Sequence, residues 1–120
     1  RGTVVEYGDR AQAFISGTAS IDNKGQVVHV GDIVRQTHRM WENVDALLAE
    51  ADMNLTDHAA QITVYLRDTA DYVTVRDLFA ARFPHVPTII TLAPVCRPEW
   101  LIEMECIAVA DRHNETYRPF

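Results

Sequence analysis

The chain has 120 residues, of which 48% are hydrophobic and 23% charged, and it carries a net charge of −6 at pH 7. This length supports one domain with a core, and the acidic balance argues against a nucleic acid partner, because phosphate binding needs a basic surface. The apolar runs are too short for a membrane span, so no membrane partner is expected. Two cysteines without a secretory pattern favour a reduced, cytoplasmic protein, and five histidines without ligand spacing predict no metal site.

The first half of the chain is typical of short strands followed by one helix. Residues 3–7 and 12–19 predict a hairpin, and residues 26–30 predict a third short strand. The period then changes, with apolar residues recurring every three or four positions over residues 33–53. This pattern predicts a long amphipathic helix with Asp32 as its N-cap.

The second half alternates strands with one more helix. Its predicted elements are strands at residues 60–67, 88–93 and 101–109 and a helix at residues 69–83. Two helices with one apolar stripe each most economically cover the same face of a sheet. The sequence therefore predicts an α+β fold, a single mixed sheet with two helices on one face, in a domain of residues 1–110 followed by a tail of residues 111–120.

The last strand carries two carboxylates in an otherwise apolar segment. Side chains alternate along a strand, so Glu103 and Glu105 share one face about 7 Å apart, while their apolar neighbours share the other. The polar loop before this strand supplies a thiol, Cys96, and a cation, Arg97. The pattern fits either a wetted interface strand or a catalytic site, because perturbed carboxylates cluster at functional sites.

The face of the sheet opposite the helices is predicted to be mixed in character. It would present Thr63, Tyr65, Arg67, Leu101, Glu103, Glu105 and Ile107. Such a face is too polar for a closed core and too apolar for open water, so we expect a closed symmetric oligomer to cover it. A cleft between subunits lined by Tyr65, Arg67, Glu103 and Glu105 would then be a natural small-molecule site.

Several short motifs follow one another along the chain: Ile15-Ser16-Gly17, Gln36-Thr37, Trp41-Glu42-Asn43-Val44, Val64-Tyr65-Leu66-Arg67-Asp68 and Ile102-Glu103-Met104-Glu105-Cys106-Ile107-Ala108. In these motifs and in their order the chain resembles the Rid (YjgF) family. The resemblance implies a homotrimer with pockets at its subunit interfaces, and hydrolysis of enamine and imine acids to keto acids with release of ammonia, Glu103 standing near the attacking water. The family arginine that holds the substrate carboxylate is matched here by Thr88, and a neutral hydroxyl cannot replace that clamp.

A second set of segments consists of Arg1-Gly2-Thr3, residues 14–21, Gly31-Asp32-Ile33 with Gln36, Cys96-Arg97 and residues 101–105. Within this family, their similarity is closest to the C-terminal domain of chorismatases. It implies cofactor-free cleavage of chorismate, with Glu103 protonating the enol-ether methylene and Cys96 at a position that helps decide the product. Chorismatases have a second domain upstream, so the chain is either a fragment or a stand-alone relative.

Three functions remain open from the sequence. The first is a cofactor-independent enzyme for a small enolic or imino carboxylic acid, with Glu103 as proton donor or water activator and Arg97 or Arg67 as carboxylate anchor. Cys96, Tyr65 and Thr88 would line its pocket, Cys96 either as a nucleophile or as a wall. The second is a non-catalytic binding module that senses a metabolite through the same cleft. The third, a ribonuclease or translation inhibitor, is disfavoured by the acidic charge.

Overall fold

The structure is a computed structural model that describes residues 1–120. Its elements are β1 (Gly2–Glu6), β2 (Arg10–Ala19), α1 (Ile33–Ala49), α2 (Leu55–His58), β3 (Ala59–Leu66), α3 (Tyr72–Arg82), β4 (Thr88–Leu92) and β5 (Ile102–Asp111). The strands form one mixed sheet in the order β1-β2-β5-β3-β4, in which only β3 and β4 run parallel. None of the helices combines the length and the apolar composition that crossing a bilayer requires.

Alternation along the central strand decides which side of the sheet becomes the core. On β5, Ile102, Met104, Cys106 and Ala108 are at most 2% exposed and belong to the same buried cluster as the helices. The β3 side chains paired with the first three of these residues, Leu66, Val64 and Ile62, are equally buried. The predicted fold class, a single mixed sheet with its helices on one face, is confirmed.

The two long helices cover this side of the sheet with one apolar stripe each. The stripe residues are Met40, Val44 and Leu48 on α1 and Val75 and Phe79 on α3, none of them more than 2% exposed. Burying a side chain of this size gains about 1.5–3 kcal/mol, so the stripes hold the helices to the sheet. Asp32 caps α1 as predicted, because its carboxylate accepts a 3.0 Å hydrogen bond from the backbone N–H of Arg35.

The strand predicted over residues 26–30 is wrong. Only an isolated bridge between Ile21 and Val27 forms there. His29 and Gly31 adopt left-handed backbone angles, with φ of 60° and 77°, and a strand cannot continue through such angles. The sheet therefore has five strands, and residues 22–31 form a loop that leads into α1.

The long helix predicted over residues 33–53 is shorter in the structure and is followed by a second one. α1 ends at Ala49, and Asp52 takes a left-handed φ of 54° that turns the chain. Asn54 then caps the one-turn helix α2, its side chain accepting a 2.8 Å hydrogen bond from the N–H of Asp57. The helix predicted from residue 69 begins with a 3₁₀ turn, Thr69–Asp71, before α3.

β2 contains a β-bulge beside the central strand. Its pairing with β5 shifts between Ile15 and Thr18, so Ser16 and Gly17 together stand opposite Glu105. The bulge also changes the side of the sheet to which successive β2 side chains point, because it adds one residue to the alternation. Bulges are frequent next to functional sites, where they bring the backbone close to another group.

Candidate active site

The side of the sheet that the helices leave uncovered, which we call the open face, carries the predicted polar cluster. Tyr65 lies opposite Glu103, and Thr63 lies opposite Glu105, in the antiparallel ladder of β3 and β5. Paired residues in such a ladder project to the same side. The structure therefore brings Tyr65, Glu103 and Glu105 together, with Arg67 two residues beyond Tyr65 at the end of β3.

Glu105 is engaged by its tyrosine neighbour. The hydroxyl of Tyr65 donates a hydrogen bond of 3.0 Å to Oε2 of Glu105. This hydrogen bond is the main cause that raises the pKa of Tyr65 above its usual value of 10.0, with desolvation and the two nearby carboxylates adding to it. Glu105 is thus the member of the carboxylate pair with a fixed partner.

Glu103 has no such partner. Its side chain is half-buried, and burial, followed by the charge of Glu105, raises the pKa of Glu103 above its usual 4.5. One carboxylate oxygen lies so close to the bulge that a Cβ on Gly17 would overlap it. A carboxyl with a raised pKa and no competing hydrogen bond is suited to give a proton to a ligand and to take one back.

Arg67 is engaged by the loop that precedes β5. Its Nε donates to the carbonyl of Trp100 at 2.8 Å, and its Nη2 donates to the carbonyls of Val95 and Arg97 at 3.0 and 2.7 Å. Nη1 makes no hydrogen bond within the protein. Three carbonyl contacts fix the guanidinium plane, so Nη1 is held in one direction.

The same loop carries Cys96 and Arg97 at the surface. Nη1 of Arg97 donates to the carbonyl of Gly25 at 2.6 Å, and its guanidinium carbon lies 4.9 Å from the centre of the Trp100 ring. Cys96 is a free, exposed thiol. Cys106 is buried, which raises the pKa of its thiol to about 11, so of the two cysteines only Cys96 can meet a ligand.

The charges of Arg67 and Arg97 are not neutralised by an acidic side chain. Four other arginines form ion pairs with Asp or Glu, whereas these two contact only backbone carbonyls and an aromatic ring. They belong to one locality, because Arg67 binds the carbonyl of Arg97 itself. Two fixed guanidinium groups without acidic partners favour an anionic group, such as a carboxylate, as a ligand.

Thr88 lies away from this cluster within the subunit. It pairs with Ile62 at the start of β4, and Ile62 is fully buried on the helix side of the sheet. The Thr88 hydroxyl donates to the carbonyl of Val86 at 3.0 Å. In a parallel ladder, paired residues share a side, so Thr88 faces α3 while Glu103 faces the open side.

Sequence reasoning does not identify Gln36 or Gly17 as site residues. Gln36 is fully buried on α1, and its amide reaches the loop before β5. The available signal is a polar residue beside an apolar helical stripe, where an unpaired amide would be costly. For Gly17 the signal is the Ile15-Ser16-Gly17 motif, which does not reveal the contact with Glu103 because that contact depends on the bulge. No group of three or more His, Cys, Asp or Glu side chains is arranged to hold a metal ion.

Comparison with known proteins identifies the family. Residues 4–110 match the family model described as endoribonuclease L-PSP. The chain belongs to this family. The resemblance to Rid proteins that the motifs indicate is thereby confirmed.

The proteins similar to this chain differ in how much of their length is matched. The 3-aminoacrylate deaminase RutC of Acinetobacter baylyi is 32% identical over 97 residues, covering 79% of this chain and 76% of that protein. A RutC family protein of Pyrococcus abyssi is 35% identical over 97 residues, again covering 79% of this chain and 76% of that protein. A chorismatase crystal structure superposes with a TM-score of 0.78 and 26% identity, covering 90% of this chain but 35% of that one.

Proposed function

We propose that the protein is a cofactor-independent hydrolase for a small carboxylic acid with an electron-rich double bond, an enamine or enol acid, and that Glu103 is its general acid and base. The observation that carries the proposal is the state of Glu103. It is half-buried beside the Gly17 bulge, without a hydrogen-bond partner, and its pKa is raised by burial and by Glu105. Such a group is protonated over a wider pH range than an exposed glutamate.

The chemistry follows from one proton shuttled by Glu103. The protonated carboxyl gives its proton to the C=C carbon that does not bear the nitrogen or oxygen, and the carbon that bears the nitrogen or oxygen becomes an iminium or oxocarbenium centre. A water molecule then attacks that centre while the Glu103 carboxylate accepts a proton from it. The resulting adduct expels ammonia from an enamine, or an alcohol from an enol ether, and leaves a carbonyl compound. No redox step and no additional reactant besides water are needed.

In this proposal the substrate carboxylate is held by Arg97 and by the free Nη1 of Arg67. Both guanidinium groups lack an acidic partner, and both are oriented by carbonyls. Cys96 stands beside Arg97 as an exposed wall of the pocket. Tyr65, through its bond to Glu105, fixes the position of the second carboxylate, and Glu103 is left as the carboxylate without a hydrogen-bond partner. Thr88 has no role within one subunit, because it faces the helices.

The enamine acid is the first candidate substrate class. The relative in Acinetobacter baylyi whose name is 3-aminoacrylate deaminase is similar to most of this chain. The enol-ether class is the second candidate. It is favoured by the absence of an arginine from β4, by the exposed Cys96-Arg97 pair, and by the superposition on chorismatase. Since that superposition covers 35% of the chorismatase chain, the activity of the whole enzyme transfers only as a hypothesis.

We further propose that the open face is covered by copies of the same chain, as a homotrimer. Exposed apolar side chains accompany the carboxylates on this face: Phe14, which is 40% exposed, lies opposite the partly buried Ile107 of β5. A monomer would leave this mixed surface in water, whereas a closed oligomer would bury its apolar part and enclose Glu103 in a cleft.

The test offers the purified protein 3-aminoacrylate generated in situ, chorismate and RNA, and measures ammonia, pyruvate and RNA fragments. We expect turnover of one of the two acids and none of RNA. Glu103→Gln should lower turnover by about 10²–10⁴-fold, the usual contribution of a general acid and base.

Glu105→Gln is the matched control, because it removes a carboxylate two residues away on the same face. Its turnover should stay within a few-fold of the natural protein. Equal losses in both variants would contradict the special role of Glu103. Binding of either acid without any turnover would favour the metabolite-binding module over the enzyme.

A further inference from the structure

Gln36 joins two separate loops of the candidate site from inside the core. Its Nε2 donates to the carbonyl of Glu99 at 2.9 Å and to the carbonyl of His29 at 3.2 Å. Its Oε1 accepts a hydrogen bond of 2.9 Å from the backbone N–H of Leu101. The side chain is fully buried, so water cannot substitute for these bonds, and the amide satisfies both loops at once.

The first of these loops, residues 94–101, carries Cys96 and Arg97. Its outer side is held by the three carbonyl contacts of Arg67, and its inner side by Gln36. Gln36 binds Leu101 at the end of the loop, one residue before β5 begins at Ile102 and two residues before Glu103. The bond between Gln36 and Leu101 therefore holds both the end of the loop and the start of the strand that carries Glu103.

The second loop, residues 22–31, supplies the carbonyl that accepts a hydrogen bond from Arg97. Gly25 accepts from Nη1 of Arg97 at 2.6 Å. The same loop includes His29, a non-glycine residue with a left-handed φ of 60°. Such a conformation persists only where neighbouring contacts impose it. The His29 carbonyl accepts two hydrogen bonds, one from Nε2 of Gln36 and one of 3.1 Å from the N–H of Asp32.

We propose that Gln36 is a positioning residue of this site: its buried amide sets the spacing between the two loops, and thereby the place of the Arg97 guanidinium relative to Glu103. The inference rests on the proposed function, in which Arg97 holds the substrate carboxylate. Gln36 itself touches no substrate, and its effect reaches the ligand through the Arg97–Gly25 contact and the Trp100 ring against which Arg97 stacks.

The first measurement needs no substrate. Hydrogen exchange of the Leu101 amide is compared in the natural protein and in Gln36→Met, an apolar replacement of similar length that removes all three bonds. We expect exchange at Leu101 to rise at least tenfold, while amides in the centre of β5 stay protected. Thr37→Val is the matched control, because Thr37 is equally buried but bonds only to its own helix, at the Ile33 carbonyl. It should leave Leu101 unchanged.

A second variant separates the two functions of the amide and remains informative if Gln36→Met does not fold. Gln36→Glu keeps an acceptor for the Leu101 N–H but loses both donated bonds, so the link to His29 should fail while the link to Leu101 is retained. Exchange should then rise in residues 22–31 and stay low at Leu101.

The kinetic measurement uses whichever carboxylic acid the natural protein turns over. In Gln36→Met the KM should rise about tenfold or more, whereas the pH profile that reports Glu103 should keep its midpoint. Faster exchange at Leu101 with an unchanged KM would overturn the positioning role, and unchanged exchange would overturn the bridge itself. If the natural protein turns over neither acid, the proposed function fails, and the exchange experiment still decides whether Gln36 holds the loops.

Discussion

Glu103 and Glu105 are chemically identical and lie on the same side of one strand, yet their surroundings separate them. Glu105 accepts the Tyr65 hydroxyl at 3.0 Å. Glu103 has no hydrogen bond and rests against the bulge at Gly17. The charge of Glu105 adds to burial in raising the pKa of Glu103, so Glu103 is the better proton carrier.

The raised pKa of Glu103 gives the stability of the protein a defined pH dependence. The folded pKa lies above the usual 4.5, so the native state binds more protons than the unfolded state in the interval between these two values. Stability contributed by this group is therefore fully present below the unfolded pKa and is lost as pH rises through the folded pKa. Relative to the natural protein, Glu103→Gln should become more stable on going from pH 4 to pH 7.

Chemical denaturation of the natural protein and Glu103→Gln across this range checks the expectation. The difference between the two proteins cancels the titration of the other groups. A variant whose relative stability falls as pH rises would mean that the pKa of Glu103 is lowered in the folded protein, and would contradict the raised pKa.

Gly17 is the second residue-scale test. A Cβ at this position would overlap the Glu103 carboxylate. The Glu103 side chain can move more easily than the backbone that carries the new Cβ. In Gly17→Ala we expect Glu103 to move and turnover to fall by about a hundredfold, as for a catalytic group displaced by about 1 Å. The melting temperature should change by only a few degrees. A fully active variant would show that this carboxylate position is not the catalytic one.

Alternation alone predicts much of the site. It correctly assigns Glu103, Glu105 and Tyr65 to one face, because side-chain direction along a strand depends on local geometry only. It does not predict that Arg67 is bound by three loop carbonyls or that Thr88 faces the helices. Those facts depend on the conformation of a loop and on the register between parallel strands. Neither produces a periodic pattern in the sequence.

At the scale of elements, the three helices meet at Asp45. Its Oδ1 accepts the N–H of Leu55 at the start of α2 at 2.8 Å. Its Oδ2 pairs with Arg82 at the end of α3 at 3.0 Å, with side chains about one-third exposed. One carboxylate of α1 thus caps one helix and ties down another, and both contacts are partly shielded from water.

Asp45→Ala should lower the free energy of unfolding by about 2 kcal/mol, because it removes a charged hydrogen bond to the backbone together with an ion pair. Asp77→Ala is the control. Its partner Arg76 is 50% exposed and Asp77 itself 64%, so the loss should stay within about 0.5 kcal/mol. Urea unfolding curves give both values. Equal losses would mean that Asp45 acts as an ordinary surface charge.

The element predictions fail where backbone angles, rather than hydrophobic period, decide the structure. The segment over residues 26–30 has the apolar residues of a strand, but His29 and Gly31 are left-handed. α1 similarly stops before its apolar pattern does, because Asp52 turns the chain. Glycine signals such turns in sequence. His29 and Asp52 do not: the His29 carbonyl accepts bonds from Gln36 and Asp32, and the turn at Asp52 is closed by the bond from the N–H of Met53 to the carbonyl of Leu48.

At the scale of the whole molecule, the open face decides the oligomeric state that we propose. Ile107→Lys would place a charge at the centre of that face, opposite Phe14. We expect sedimentation velocity to show an oligomer for the natural protein and a monomer for this variant, with the fold retained in circular dichroism. Val73→Lys is the control, because Val73 is 55% exposed on α3, on the other side of the sheet. Dissociation of both variants would exclude the open face as the specific contact.

β4 forms one border of the sheet, pairing with β3 on one side only. Its five residues contain no charge, and Ile89 and Leu92 are 62% and 59% exposed. An uncharged strand with free backbone groups is a template for pairing with a foreign strand. Leu92→Lys should therefore slow aggregation on warming, as measured by light scattering, without changing the onset of unfolding. The border strand that completes the sheet is thus also an exposed site for amyloid-like pairing.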